Sequence, residues 1–134
     1  RNILLSTPDH VKICDFGMAR SVQNQEHGQY KMKETHKIPC ACYAPESIRH
    51  KLFSSKSDVW SFGVTLWECF SLCEQPWPYL TAADILNKLE TESKRLSQPY
   101  LCSRSFYRVL MSCWEHKPED RPTFSYLKVA VKGI

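Results

Sequence analysis

The run from Asp58 to Leu72, D-V-W-S-F-G-V-T-L-W-E-C-F-S-L, limits the possible folds more than any other part of the chain. It holds no proline and has helical length, and Ser57 just ahead of it is a residue of the N-cap type. Apolar side chains fall on every side of such a helix: Val59, Trp60, Phe62, Val64, Leu66, Trp67, Cys69, Phe70 and Leu72. A helix that is apolar all round is buried all round, so other elements must pack on each face. A membrane span needs roughly 20 apolar residues, whereas Asp58, Ser61, Thr65 and Glu68 interrupt this run. The stretch predicts the central core helix of a mainly helical body.

A chain of 134 residues can build one domain around a core of that kind. Apolar content of 43% and charged content of 24% are ordinary for a globular protein. The net charge of +4 is mild, and the lysines and arginines are scattered rather than gathered on one face, which argues against a nucleic-acid partner. Seven cysteines are an odd number, and Cys40-Ala41-Cys42 has the wrong spacing for a zinc knuckle. Reduced thiols in the cytoplasm are the expected state, with Cys69 and Cys73 acting as small apolar side chains at the end of the core helix. The sequence shows no leader-like or membrane-inserting run, and its opening on Arg1 rather than Met leads to the expectation of a piece from a longer protein.

Two β-type runs, Ile3-Leu4-Leu5 and Val11-Lys12-Ile13, flank the turn-forming cluster Ser6 to His10. They predict a hairpin with Leu5 opposite Val11, Ile3 opposite Ile13 and Asn2 opposite Cys14. That register brings Asn2 and Asp15 side by side at the open end, two oxygen donors suited to a hard divalent cation. Gly17 to about Pro39 is polar and lacks apolar periodicity, and a loop of that length in a compact domain is usually functional or disordered. Pro45 starts a short helix. Thr81 caps another through Ala82, Ile85, Leu86 and Leu89. Phe106, Val109, Leu110 and Cys113 mark a third that ends near Trp114, and Arg121-Pro122-Thr123 opens the last, with Phe124, Leu127 and Val131 facing inward.

Asp15-Phe16-Gly17 directly after an apolar strand, Ala44-Pro45-Glu46 some thirty residues on, and Asn2 at the start of the first strand form an ordered set. Any one alone is weak; the alternative for Asn2 and Asp15 is that they are ordinary turn residues. Together they resemble the C-terminal lobe of a protein kinase, from the end of the catalytic loop to the last helix, an α+β fold of which this part is mainly α with a short β-hairpin. Arg1-Asn2-Ile3-Leu4-Leu5, Asp15-Phe16-Gly17-Met18-Ala19-Arg20, Ser57 to Gly63, and Cys113-Trp114 with Lys117 to Phe124 resemble tyrosine kinases in particular. Lys37-Ile38-Pro39, Ala44 to Ser47, Gly63 to Glu68 and His116 to Asp120 are most similar to the ACK family of non-receptor tyrosine kinases.

The resemblance implies roles residue by residue. Asn2 and Asp15 would hold magnesium on ATP, with Arg1 beside them and Phe16 and Gly17 completing the nucleotide-side turn. Residues 15–46 would be the activation segment, with Tyr30 its phosphorylated tyrosine and Arg20, Lys31, Lys33 and Lys37 candidate partners for the phosphate. Lys37, Ile38, Pro39 and Cys40 would form the platform for a tyrosine-containing protein substrate, although Pro39 is also a simple turn former. Asp58 would brace the catalytic loop from below, and Glu46 and Arg121 would form a buried ion pair. Cys42 departs from the family's usual tryptophan and Cys73 from a common glycine. Counting back from Asn2, the catalytic base falls before Arg1, and neither the glycine-rich loop nor the ATP-binding lysine is among these residues, so the chain alone is expected to be inactive. Three readings stay open for the parent protein: an active tyrosine kinase, a non-catalytic protein-binding module, and a serine/threonine or dual-specificity kinase.

Overall fold

In the computed structural model, which describes residues 2–33 and 39–133, the chain is about half helical with two small antiparallel sheets. The predicted hairpin is present. Strands β1 (Ile3–Thr7) and β2 (His10–Ile13) pair Ile3 with Ile13 and Leu5 with Val11, and the Cys14 amide donates to the Asn2 carbonyl at 2.9 Å. The turn narrows to Pro8-Asp9, and a bulge between Leu5 and Thr7 absorbs the extra residue. Ile3, Leu4, Leu5, Val11 and Ile13 are all exposed. A two-stranded ribbon is marginal alone, and this one offers its apolar surface to solvent.

Strand β3 (Tyr30–Lys31) lies in the segment expected to be an irregular loop, and it pairs with β4 (Leu52–Phe53). Buried Met32 extends the tie, its amide donating to the Lys51 carbonyl at 2.9 Å. Helix α1 (Pro45–His50) begins at proline as expected and ends at Lys51 in the left-handed conformation.

The core helix is α2 (Ser55–Phe70), and its cap corrects the sequence reading. Ser54, not Ser57, is the N-cap; Ser57 stands at N3 and its hydroxyl accepts from the Ser54 amide at 2.8 Å, closing a capping box. Burial is one-sided rather than all-round. Val59, Trp60, Val64 and Trp67 are buried, Phe62, Leu66 and Phe70 are half-buried, and Cys69 and Leu72 are exposed. Cys69 and Cys73 are therefore surface thiols, against the expectation of apolar packing.

Helix α3 (Ala82–Leu86) is capped by Thr81 and Asp84 reciprocally and runs into a π turn over Asn87–Thr91. Helices α4 (Arg104–Cys113) and α5 (Phe124–Ala130) follow, capped by Ser103 and Thr123. The core joins Trp60, Val64 and Trp67 of α2 to Ile85, Leu89, Leu110, Trp114 and Leu127. Phe124 is more open than predicted, yet its ring meets Phe62 edge-on at 5.6 Å.

Gly63 is where α2 lies tight against Cys113 and Trp114 at the end of α4. A Cβ there would stand 2.8 Å from both Cys113 Cβ and Trp114 Nε1, an indole nitrogen with no hydrogen-bond partner among the described residues. Both neighbours are buried and cannot yield cheaply. Gly63→Ala should therefore destabilise the fold by about 1–3 kcal/mol despite the ~1 kcal/mol helix-propensity gain. A urea midpoint at or above wild type would show that the helices can separate at no cost.

Candidate functional site

The hairpin carries Asn2 and Asp15 to its open end, because Asn2 pairs through its carbonyl with Cys14 and Asp15 is the next residue. Both side chains are exposed. Asp15 has φ 67°, a left-handed conformation that aspartate tolerates better than most residues. Its Oδ1 accepts from the Gly17 amide at 3.4 Å, and no ion pair engages it among the described residues. The carboxylate opens on a cavity of about 350 Å³ lined also by Arg20, Tyr30, Tyr43, Ser54 and Asp58. Asn2 is not among the lining residues.

Arg20 anchors the turn that follows Asp15. Its Nη1 donates to the carbonyls of Gly17 at 3.2 Å and Ala19 at 2.7 Å, and its guanidinium lies 6.0 Å over the Tyr30 ring. Tyr30, half-buried, is fixed from the other side by pairing with Phe53. Phe16 projects into solvent. Asp58, in the first turn of α2, reaches solvent through the cavity, yet the walls around it shield its carboxyl from water and raise its pKa above the ordinary aspartate value.

On the far side of the segment, Pro39 leads into a 3₁₀ turn over Cys40–Cys42, and the Ser61 hydroxyl of α2 donates to the Cys42 carbonyl at 2.9 Å. Burial, and next the nearby Glu68 charge, raise the pKa of the Cys42 thiol. Four residues on, Glu46 and Arg121 form the expected pair, bidentate at 2.6 and 2.9 Å. Arg121 is buried; it also donates to the carbonyls of Lys56, Glu115 and His116, and Lys56 Nζ returns a hydrogen bond to the Arg121 carbonyl. Arg1, Lys37 and Ile38 lie outside the described residues. Sequence reasoning missed Ser61 and Arg95, whose partners are distant carbonyls and a ring that no local pattern announces.

The donor set suits magnesium rather than a metal caged by protein alone. Among the described residues no group of three or more His, Cys, Asp or Glu could hold an ion. Magnesium takes one or two protein oxygens and fills its octahedron with water and substrate phosphates, which an exposed, unpaired carboxylate such as Asp15 permits. No helix among the described residues is long and apolar enough to cross a membrane.

The family model for protein tyrosine and serine/threonine kinases matches residues 1–131. The chain is 46% identical over 128 residues to "Activated Cdc42 kinase Ack" of Drosophila melanogaster, covering 96% of this chain and 12% of that protein. It is 48% identical over 128 residues to "Non-receptor tyrosine-protein kinase TNK1" of Homo sapiens, covering 96% and 19%. Tyrosine-protein kinase Shark of Drosophila melanogaster is 46% identical over 127 residues, covering 95% and 13%. The chain thus spans less than a fifth of the length of these relatives. With the ordered Asp-Phe-Gly and Ala-Pro-Glu runs in the geometry described, the match over nearly its whole length means that this chain belongs to the protein tyrosine and serine/threonine kinase family.

Proposed function

We propose that residues 1–134 are the part of a protein tyrosine kinase domain that runs from the end of the catalytic loop to the last helix, the bulk of its C-terminal lobe. The parent protein transfers the γ-phosphate of ATP to tyrosine in protein substrates in the cytoplasm. The observation that carries this is the Asp15 carboxylate, held just past a strand end, without an ion pair among the described residues and opening on a cavity. Magnesium, when bound, supplies positive charge to the nucleotide's phosphates. Asp15 contributes the anionic oxygen and Asn2, next to Arg1, a neutral one. Phe16 and Gly17 shape the turn that aims Asp15, and Arg20 pins that turn. Asp58 braces the catalytic loop, and Lys37 to Cys40 receive the acceptor tyrosine's segment.

The exposed apolar hairpin supports membership in a larger domain, since Ile3, Leu5, Val11 and Ile13 call for a cover. Taken by themselves these residues lack the base and the ATP-covering lobe, and are inactive. The test is phosphoamino-acid analysis of products made by the full-length protein: phosphotyrosine is expected, phosphoserine or phosphothreonine would move the acceptor class, and no transfer would refute the proposal.

Residues 15–46 act as the activation segment, with Tyr30 its modified residue. A phosphate there adds roughly −1.5 to −2 charges beside Arg20 and Lys33. Tyr30→Phe keeps the ring packing and removes the acceptor oxygen, so it should lower activation of the full-length protein severalfold. Normal, fully regulated activity in that variant would make Tyr30 a bystander.

A further inference from the structure

Two consecutive residues of α2 hold the two ends of the stretch Cys42–Glu46. Ser61 does so directly, through its 2.9 Å bond to the Cys42 carbonyl. Trp60 does so at one remove: the Arg121 guanidinium that grips Glu46 lies 5.0 Å from the centroid of its ring. A second guanidinium, that of Arg95, lies 5.3 Å from the same centroid.

Arg95 is itself fixed by main-chain partners from separate elements. Its Nε donates to the Trp114 carbonyl at 2.8 Å, at the end of α4, and its Nη1 to Leu89 at 3.0 Å, in the π turn, and to its neighbour Lys94 at 2.8 Å. Two like charges on one indole repel each other. They are held there by three main-chain carbonyls each and, for Arg121, by the Glu46 carboxylate, and the ring's π-cloud attracts each. Burial, more than the Arg121 charge, lowers the Arg95 pKa, though a guanidinium stays protonated throughout the working pH range.

We propose that Arg95 is a positioning residue for the substrate platform: by clamping Trp60 it fixes Arg121, and through Arg121 it fixes Glu46 and the turn that precedes it. The arrangement joins the connection after the π turn to the end of the activation segment without touching substrate, nucleotide or metal. The role assigned to the platform rests on the kinase reading above; the mechanical coupling does not. A loosened Trp60 lets the Arg121–Glu46 pair shift, and the stretch Cys42–Glu46, which carries the Cys40–Cys42 turn at its start, loses one of its two fixed ends. The loss falls on binding of the acceptor peptide rather than on ATP.

The test compares full-length wild type with Arg95→Met and Arg95→Lys. It uses steady-state kinetics on a tyrosine-containing peptide and hydrogen exchange of the backbone amides between Cys40 and Glu46. Arg95→Met, which keeps the stem but not the charge, should raise the peptide KM about five- to tenfold, with kcat and the ATP KM within about twofold. Exchange between Cys40 and Glu46 should quicken. Arg95→Lys retains a cation for the ring but not the fork of donors, and should recover most of the peptide KM. A folded Met variant with unchanged peptide KM and unchanged exchange overturns the proposal. So does a lowered melting temperature with both kinetic constants reduced alike and no local change in exchange, which would make Arg95 a general stabiliser. Should Arg95→Met fail to fold, Trp60→Phe is read by the same two measurements, with the same directions expected. If wild type transfers no phosphate, the kinase reading has failed, and the exchange measurement alone decides whether Arg95 positions the turn.

Discussion

Asp15→Asn in the full-length protein is expected to lower phosphoryl transfer by about a thousandfold or more while leaving the fold intact. The two halves of that expectation have separate physical grounds. Asp15 is exposed, makes only the 3.4 Å contact with the Gly17 amide and is engaged by no ion pair among the described residues, so little stability depends on its charge. Asparagine tolerates the left-handed φ of 67° and its carbonyl oxygen can accept the same bond. Unfolding should therefore shift by no more than about 0.5 kcal/mol. Catalysis depends on the missing charge: an amide is a poor ligand for magnesium, and Asn2, itself neutral, cannot compensate. Turnover rates and a melting curve on the same preparation decide it. Unchanged turnover would remove Asp15 from the metal site, and a collapsed melting curve would show that the carboxylate serves the fold instead.

The hairpin was legible because two short apolar β-type runs flank the turn-forming cluster Ser6 to His10, and a slip of one residue would have turned Leu5 and Val11 away from each other. The residues proposed for the metal side, Asn2 and Asp15, were legible only to the level of the backbone. The ladder brings Asn2 to Cys14 and so Asp15 to the ribbon's end, but side-chain direction depends on a left-handed φ that no local pattern requires. The pairing of Tyr30–Lys31 with Leu52–Phe53 was illegible, since two-residue strands show no alternation and owe their existence to long-range partners. Ser54 and Ser57 are both good caps, and the choice fell to the reciprocal bond between them. The end of α2 was hidden for another reason. Leu72 and Cys73 take left-handed conformations at φ 59° and 65°, positions usually marked by a glycine that this sequence does not have. The Glu46–Arg121 pair, 75 residues apart, came from the family resemblance alone; no charge pattern along the chain points to it.

That pair carries the largest stability effect expected. Arg121→Met should destabilise the full-length protein's kinase domain by about 3–5 kcal/mol. The Arg121 guanidinium is out of contact with solvent, and it satisfies both Glu46 oxygens and three main-chain carbonyls, those of Lys56, Glu115 and His116. Methionine fills much of the space but replaces none of these hydrogen bonds, and a buried acceptor left unmet costs about 1–3 kcal/mol. Glu46→Gln should cost less. Its amide oxygen still accepts from Arg121, which keeps its three carbonyls and its place over Trp60. The order of the two variants in a urea titration is the diagnostic. If Arg121→Met loses less than about 1 kcal/mol, the pair is solvated enough to behave like a surface salt bridge. If it loses the full amount and Glu46→Gln loses little, the guanidinium's ties to the backbone dominate, and the carboxylate serves chiefly to hold the start of α1, and the turn before it, against α2.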